Sequence, residues 1–405
     1  MHILHLTPYY APAYAFGGVT RAVTGMARAL ARRGHTVTVL TTDALDRRHR
    51  SAGPASMITA DGVRVVRVRN LTLWTRRAAN LSTPLAIRRA ARTLIAEADL
   101  VHAHELRTLE NLLVTPLLDH GQRPPLILSP HGTLTTATGR GRFKQVWDRF
   151  LSGSVARRTN AVIGLTTDEI ADAESLWRQL GAQSAMHIVP NGVDLAELTG
   201  PDCAARGAAF RQRYDLGADT ICLFMGRLHA RKGVDVLIRA FRWTNHKADL
   251  PGTRLVIAGP DEGMGAQIAP LLDDRIVLTG YLDSDARLGA LAAADVFALP
   301  AVGEGLSLAA LEALGAGLPV ILTPGCHLPE VAAVGAGLIV EPETVPLAQA
   351  LHALLSDAER RRAMGAAAQA LIRERYTWDA VAAQLETIYA GLISPDRRST
   401  SAEAP

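Results

Sequence analysis

Cysteine is scarce in this chain of 405 residues: Cys203, Cys222 and Cys326 are the only three, scattered and without a CxxC pair. That scarcity excludes a disulfide framework and a CxxC-type structural zinc site, and it fits a reducing cytoplasm. Long apolar runs are missing too. No stretch approaches the roughly 18 residues of a membrane span, so none is expected. The opening "MHILHLTPYY" is too short and polar for a secretory leader, and Pro8 would stop any apolar core, so none is expected there either. Low-complexity tracts are absent as well.

What is present reads as an ordinary globular protein. The apolar fraction is 48% and the charged fraction 20%, and the length suits two domains. The net charge of +4 hides an asymmetry: residues 1–195 hold 24 Lys+Arg against 14 Asp+Glu. That excess reads either as arginine decorating solvated faces or as a surface that meets something anionic.

Strand and helix patterns alternate from the start. "HILHL" is a short apolar run, followed by the turn-rich "TPYYAPAYAFGG". A helix follows with Val19, Ala22, Val23, Met26, Ala27 and Leu30 on one face, and Gly34 ends it. Then come "TVTVLTT", "VRVVRV", "LVHA", "PLILS", "AVIGLT" and "MHIVP", most of them separated by helical segments. "VPNGVDLAELTGPD" breaks the rhythm with Asn191-Gly192 and Gly200-Pro201, which predicts a linker. The pattern restarts with "ICLFMG", "RLVIAG", "IVLTG", "VFALP", "PVILT" and "GLIV". This predicts an α/β protein of two doubly wound parallel-sheet domains, residues 1–190 and 191–375. The helix 376–393 is expected to complete the first domain, and 394–405 to be a frayed tail. Ligands of such sheets sit at the carboxyl ends of the strands, and a cleft between the two domains is the natural site.

Several residues in those loops carry chemistry. The stretch "AVGEGLSLAALEALGAGLP" (301–319) is small and apolar yet keeps Glu304 and Glu312. Burying them unpaired would be costly, whereas a carboxylate accepts two vicinal hydroxyls well. A helix is predicted from Leu306 or Ser307, with Glu312 about two turns along. "GRLHARKG" sets Arg227, Arg231 and Lys232 after a strand, where fixed cations suit an anion. Gly17-Gly18 precede a helix N-terminus, another place for an anion. "SPHGT" puts His131 and Thr133 at a strand end. In "VHAHE", His102 and His104 share a strand face beside Glu105, but a third metal ligand has no clear source, so no metal is expected.

Taken in order, "FGGVTRAVTGMARALARRGHTVTVLTT", "SPHGT", "VPNGVD", "FMGRLHARKGVDVLIRAF", "LVIAGPDEG", "ADVFALPAVGEGLSLAALEALGAGLPVI" and "PEV" resemble the retaining glycosyltransferase family 4. The likeness runs through nearly the whole chain, strongest over 224–331. It implies the GT-B fold, two Rossmann-like domains facing across a cleft, the first for the acceptor and the second for the donor. It implies that Arg227 and Lys232 bind the donor diphosphate, that Glu304 holds a hydroxyl of the donor sugar, and that Glu312 binds the ribose. Gly17, Gly18, Gly226, Gly305, Leu306 and Ser307 become donor contacts, His131 a wall of the reacting sugar, and His104 and Thr133 parts of the acceptor pocket. Asp295 and Glu330 match family positions, Asp295 as a structural residue, and the turn 258–263 lies near the nucleotide base.

The implied reaction is retaining transfer from a nucleotide diphosphate sugar to a hydroxyl of a glycan or lipid-linked acceptor. The nucleotide sugar is then a co-substrate, and no cofactor or metal is needed. No residue declares itself a nucleophile, which agrees with front-face attack. The alternatives are a GT-B-fold epimerase and a non-catalytic nucleotide-sugar-binding protein. Residues 139–158 mix Arg140, Arg142, Lys144, Arg149, Arg157 and Arg158 with a helical face of Phe143, Trp147, Phe150 and Leu151. That segment reads either as a core-facing helix with a basic outer side or as a contact for anionic lipid at the inner face of the plasma membrane. No nucleic-acid reader motif is present, and none is expected to bind.

Overall fold

The computed structural model describes residues 1–46, 48–72, 75, 81–84, 86–118, 124–135, 141–248 and 250–393. Arg140 and the tail 394–405 lie outside the described residues. The chain forms two compact units. One comprises Met1–Gly192 with the chain from Trp378 onward, the other Val193–Thr377.

The first unit is built on β1 (His2–Leu6), β2 (Thr36–Thr42), β3 (Ser56–Ile58), β4 (Arg64–Val68), β5 (Leu100–His104), β6 (Leu126–Ser129), β7 (Ala161–Gly164) and β8 (Ala185–Ile188). Their order is β3-β4-β2-β1-β5-β6-β7-β8. Every pairing is parallel except β3 with β4. The antiparallel β3 departs from the all-parallel expectation. Its three residues are all exposed, so no apolar pattern announced it, and its shortness blunts a sheet edge. Strand order reverses between β1 and β5, which is the switch point of this sheet.

Helix 18–32 buries Ala22, Val23, Met26, Ala27 and Leu30, the face its periodicity predicts. Against it lies helix 378–393, which buries Trp378, Val381, Ala382, Leu385 and Tyr389. A Cβ on Gly25 would come within 2.1 Å of the Trp378 indole, so glycine is what lets the two helices approach. At the far end, Arg33 donates twice to the Glu386 carboxylate, at 2.7 Å each, and His35 lies 2.8 Å from it.

The second unit contains β9 (Thr220–Met225), β10 (Thr253–Ala258), β11 (Ile276–Gly280), β12 (Val296–Leu299), β13 (Val320–Leu322) and β14 (Gly337–Ile339). Their order is β11-β10-β9-β12-β13-β14, parallel throughout. Here the order reverses between β9 and β12. Phe224, Phe241 and Phe297 fill its core.

The predicted linker 189–202 is largely ordered structure. Val193 N–H donates to the Tyr376 carbonyl at 2.8 Å, and Asp194 caps a helix at Leu195–Thr199. Turn-forming Asn191-Gly192 and Gly200-Pro201 bracket that helix, which is why the whole span read as a loop.

Segment 139–158 also differs from its pattern. Helix Gly141–Trp147 continues through a π-helical turn, Asp148–Ser152, into Gly153–Ala156. The wider turn rotates the following residues out of phase. Of the predicted face only Trp147 is buried. Phe143 is 42%, Phe150 72% and Leu151 37% exposed, with Val146 at 59% beside them. The core-facing reading fails for those three residues.

Candidate active site

In the second unit the site residues gather on the loops leaving β9 and β12, the two strands at its switch point. After β9 the chain runs through Gly226 and Arg227 into a 3₁₀ turn at Ala230–Lys232, capped by the His229 side chain. Gly233 then turns left-handed, with φ 65°. A Cβ there would meet the Pro300 carbonyl at 2.3 Å, so this glycine sets the distance between the two loops. Val302 N–H donates to Arg231 O at 2.9 Å across the same gap.

These contacts bring Lys232 Nζ to 2.6 Å from Glu304 Oε1, both side chains 16% exposed. Arg227 is half-exposed and pairs with Glu262 at 3.0 Å. Ser307 caps helix Leu308–Gly315 through Ala310 N–H. The helix therefore begins at Leu308, later than predicted, and Glu312 lies little more than one turn in. Gly305 and Leu306 complete the approach to that cap, Leu306 being buried.

Glu312 does not stand alone. Arg287 Nη1, on the neighbouring helix Ser284–Ala293, lies 2.8 Å from its carboxylate, with Glu197 at 3.7 Å from the same guanidinium. Sequence reading missed Arg287. The available signal was a lone charge in the small, apolar "ARLGALAA", since a buried cation requires a carboxylate partner.

In the turn 258–263, Asp261 accepts from Gly263, Met264 and Gly265 N–H. These bonds hold its carboxyl below the usual range. Asp295 accepts from Ile221 N–H at 2.8 Å and from Arg211, and Glu330 pairs with the Tyr376 hydroxyl. All three are committed to structure.

In the first unit, Gly17 (φ 103°) caps helix 18–32 and Gly18 begins it. His131 follows β6 with φ 57°, an uncommon conformation for a non-glycine residue, and Gly132 continues at φ 74°. Glu169, which sequence reading missed, accepts from Gly132 and Leu165 N–H and anchors this turn. Thr133 spends its hydroxyl proton on Pro130 O at 2.6 Å. Arg107, buried and paired with Asp148 at 2.7 Å, donates to the carbonyls of Thr133 and Leu134.

Beneath His131 lies a row of histidines. His5 Nδ1 and His104 Nε2 are 2.9 Å apart, and His104 Nδ1 and His131 Nε2 are also 2.9 Å apart. His102 bonds Tyr389 Oη at 2.7 Å and Ser129 Oγ at 2.8 Å. Burial pushes the His5 imidazole down to about 3 and that of His131 to about 4, with His102 and His104 also well below 6.5. Glu105 and Glu110 are pushed up to about 7 by burial. His5 is the third imidazole that "VHAHE" lacked. His5, His102 and His104 bring nitrogens within 4.8 Å of one another. The 2.9 Å separations are those of shared protons; two nitrogens on one tetrahedral zinc stand about 3.3 Å apart, given bonds of about 2.0–2.1 Å.

Two doubly wound parallel sheets, the second with cations and carboxylates on the loops at its switch point, define the GT-B class. Residues 16–197 match the profile described as Glycosyltransferase Family 4, and residues 219–357 that of Glycosyl transferases group 1. The chain is 30% identical over 401 residues to the D-inositol 3-phosphate glycosyltransferase of Xylanimonas cellulosilytica, a match covering 92% of this chain and 91% of that one. It is 34% identical over 255 residues to the GDP-mannose-dependent alpha-(1-6)-phosphatidylinositol monomannoside mannosyltransferase of Mycobacterium tuberculosis. That match covers 58% of this chain and 65% of the relative, just under two thirds of its length. Among solved structures, sucrose-phosphate synthase from Thermosynechococcus elongatus superposes with TM-score 0.75 at 20% identity, over 96% of this chain and 98% of that one. The chain belongs to glycosyltransferase family 4.

Proposed function

We propose that this chain transfers a glycosyl group from a nucleoside diphosphate sugar to a hydroxyl of a glycolipid or lipid-linked glycan, retaining the anomeric configuration. The observation that carries the reading is the Lys232–Glu304 pair, a cation suited to a diphosphate held 2.6 Å from a carboxylate suited to a sugar hydroxyl. In the reaction the bond from the anomeric carbon to the phosphate oxygen breaks, and a bond from that carbon to the acceptor oxygen forms. The acceptor proton passes to the departing diphosphate. Arg227 and Lys232 stabilise the charge growing on that diphosphate, so no metal is required of the site. Glu312 takes the ribose hydroxyls, and His131 lines the sugar. The second unit is the donor domain and the first the acceptor domain.

The lipid-linked acceptor draws support from the relatives' names and from the exposed Phe143, Val146, Phe150 and Leu151. Arg142 and Arg149 flank them, and Arg149 lies over the Phe150 ring at 5.8 Å. Such a surface suits the headgroup region of an anionic membrane at its cytoplasmic face. No helix among the described residues is long and apolar enough to cross a membrane, so the contact proposed is peripheral.

Thermal unfolding with UDP, GDP and ADP, for the wild type and Lys232→Ala, tests the reading. Stabilisation by one diphosphate at about 1 mM, lost in the variant, is expected and names the donor base. No stabilisation by any of the three would overturn it. Conversion of the nucleotide sugar without an acceptor would turn the reading to an epimerase.

A further inference from the structure

Three helices of the second unit meet around one guanidinium. Helix Ser284–Ala293 carries Arg287, helix Leu308–Gly315 carries Glu312, and helix Leu195–Thr199, which carries Glu197, packs against both. Glycine sets the spacing: a Cβ on Gly315 would come within 2.7 Å of Leu198 Cδ1, and one on Gly289 within 3.0 Å of the Arg206 carbonyl oxygen. Arg287 is 7% exposed, and its Nη1 stands 2.8 Å from Glu312 Oε2. The half-exposed Glu197 stands 3.7 Å from its Nη2.

A buried cation of this kind is a poor source of stability. Its desolvation offsets most of the attraction, and replacing such a pair by apolar side chains is often neutral. Here the cost is higher, because neither Nε nor Nη1 makes an aligned hydrogen bond among the described residues. The same misalignment has a use. An ion contact without an aligned N–H holds Glu312 Oε2 by charge and leaves its lone pairs to accept from another donor.

We propose that Arg287 is a positioning residue that holds the Glu312 carboxylate for a vicinal diol, and thereby makes the site select a ribonucleoside diphosphate over its 2′,3′-dideoxy counterpart. The inference rests on the reading of Glu312 as the ribose ligand and adds what makes that ligand selective. The last torsion of a glutamate side chain is broad, so a lone carboxylate samples many orientations. Two neighbouring hydroxyls need both oxygens correctly placed at once. Pinning one oxygen removes that rotation before the ligand arrives, and immobilising one such side chain accounts for a factor of about 2 to 10 in affinity. A guanidinium suits the task because it stays charged at every working pH. Arg287 is itself kept in place by burial and by Glu197, and its role needs no contact with the ligand.

Titration calorimetry on the full chain tests this with UDP, GDP and ADP, the 2′,3′-dideoxy form of whichever binds, and inorganic pyrophosphate. The wild type should bind the ribose form about tenfold more tightly than the dideoxy form. In Arg287→Met that ratio should fall to about twofold, while pyrophosphate binds as before. Arg287→Lys keeps the buried charge, and so the fold, but places it on a flexible stem, and its ratio should lie between, at about fourfold. In Glu312→Ala the ratio should vanish, and adding Arg287→Met should change it no further. A tenfold ratio kept in Arg287→Met, or in Arg287→Lys where the methionine variant does not fold, would overturn the positioning role and leave the ribose reading standing. Equal weakening of all three ligands would make Arg287 a packing residue and overturn the role as well. No preference for the ribose form in the wild type, or no binding of any of the three diphosphates, would remove the ribose reading and this inference with it.

Discussion

Lys232 Nζ lies 2.6 Å from Glu304 Oε1, and neither side chain is more than 16% exposed. Each residue therefore sets the position of the other before any ligand arrives. Under the proposed function a diphosphate competes with Glu304 for the ammonium, and charge growing on the leaving group would strengthen the phosphate's side of that competition. Lys232→Ala should lower kcat/KM by about one to two powers of ten, as expected for one charge-assisted contact. Glu304→Gln should keep the stabilisation by nucleoside diphosphate and lose turnover. Because the two residues act as a unit, the double variant Lys232→Ala/Glu304→Ala should fall well short of the summed single effects in steady-state kinetics.

Arg287 is buried against Glu312 and holds its carboxylate at 2.8 Å. Glu312→Ala should weaken binding of the nucleoside diphosphate by about tenfold while leaving inorganic pyrophosphate unaffected, because only the former carries a ribose. Titration calorimetry with both ligands checks this. Arg287→Met removes one partner from a largely buried pair, and about 3 kcal/mol of stability should be lost in denaturant unfolding.

Strand positions were legible because their β-branched and apolar runs match a two-sided, covered parallel sheet, as in "TVTVLTT" and "LVHA". The exposed "SMI" of β3 carried no such signal. The candidate residues stood out in the sequence as carboxylates and cations in glycine-bearing loops after strands, and the structure places those loops at the switch point of the second sheet. The partners of those residues did not stand out. Lys232 meets Glu304, and Arg287 meets Glu312, through packing of distant segments, and no local periodicity records that. His5 joined His102 only through the register of β1 on β5, which pairs those two residues directly. The π-helical turn at 148–152 escaped for a similar reason: it sets Phe150 and Leu151 out of phase with the helix before them.

Buried titratable groups of opposite response give a paired prediction. His5 is neutral in the fold down to about pH 3 but takes up a proton near pH 6.5 when unfolded. Its contribution is therefore intact above pH 6.5 and is lost as pH falls toward 3. Glu110, pushed up to about 7, behaves in the opposite sense. Its protonated form is favoured in the fold, so stability is intact below about pH 4.5 and is lost as pH rises through 7. Between pH 7.5 and pH 5, His5→Phe should gain about 2 kcal/mol relative to the wild type, and Glu110→Gln should lose about 2 kcal/mol relative to it. Urea unfolding at the two pH values checks both signs.

The exposed apolar cluster on 141–152 makes the membrane proposal testable without knowing the acceptor. Phe150 is 72% and Val146 59% exposed, so replacing them removes no core contact, and the protein should remain folded. If these side chains enter the headgroup region, Phe150→Glu with Val146→Glu adds two charges where apolar surface was buried and opposes an anionic surface as well. Binding to phosphatidylglycerol-containing vesicles should fall by at least tenfold in a flotation assay. Arg142→Gln with Arg149→Gln should weaken binding to those vesicles less severely and make it less sensitive to salt, because each basic residue near such a surface contributes about 1 kcal/mol. Turnover of a short soluble acceptor should be unchanged in both variants, since neither touches the donor site. Equal vesicle binding by the wild type and the Phe150→Glu/Val146→Glu variant would remove the membrane from the proposal and leave the transferase chemistry intact.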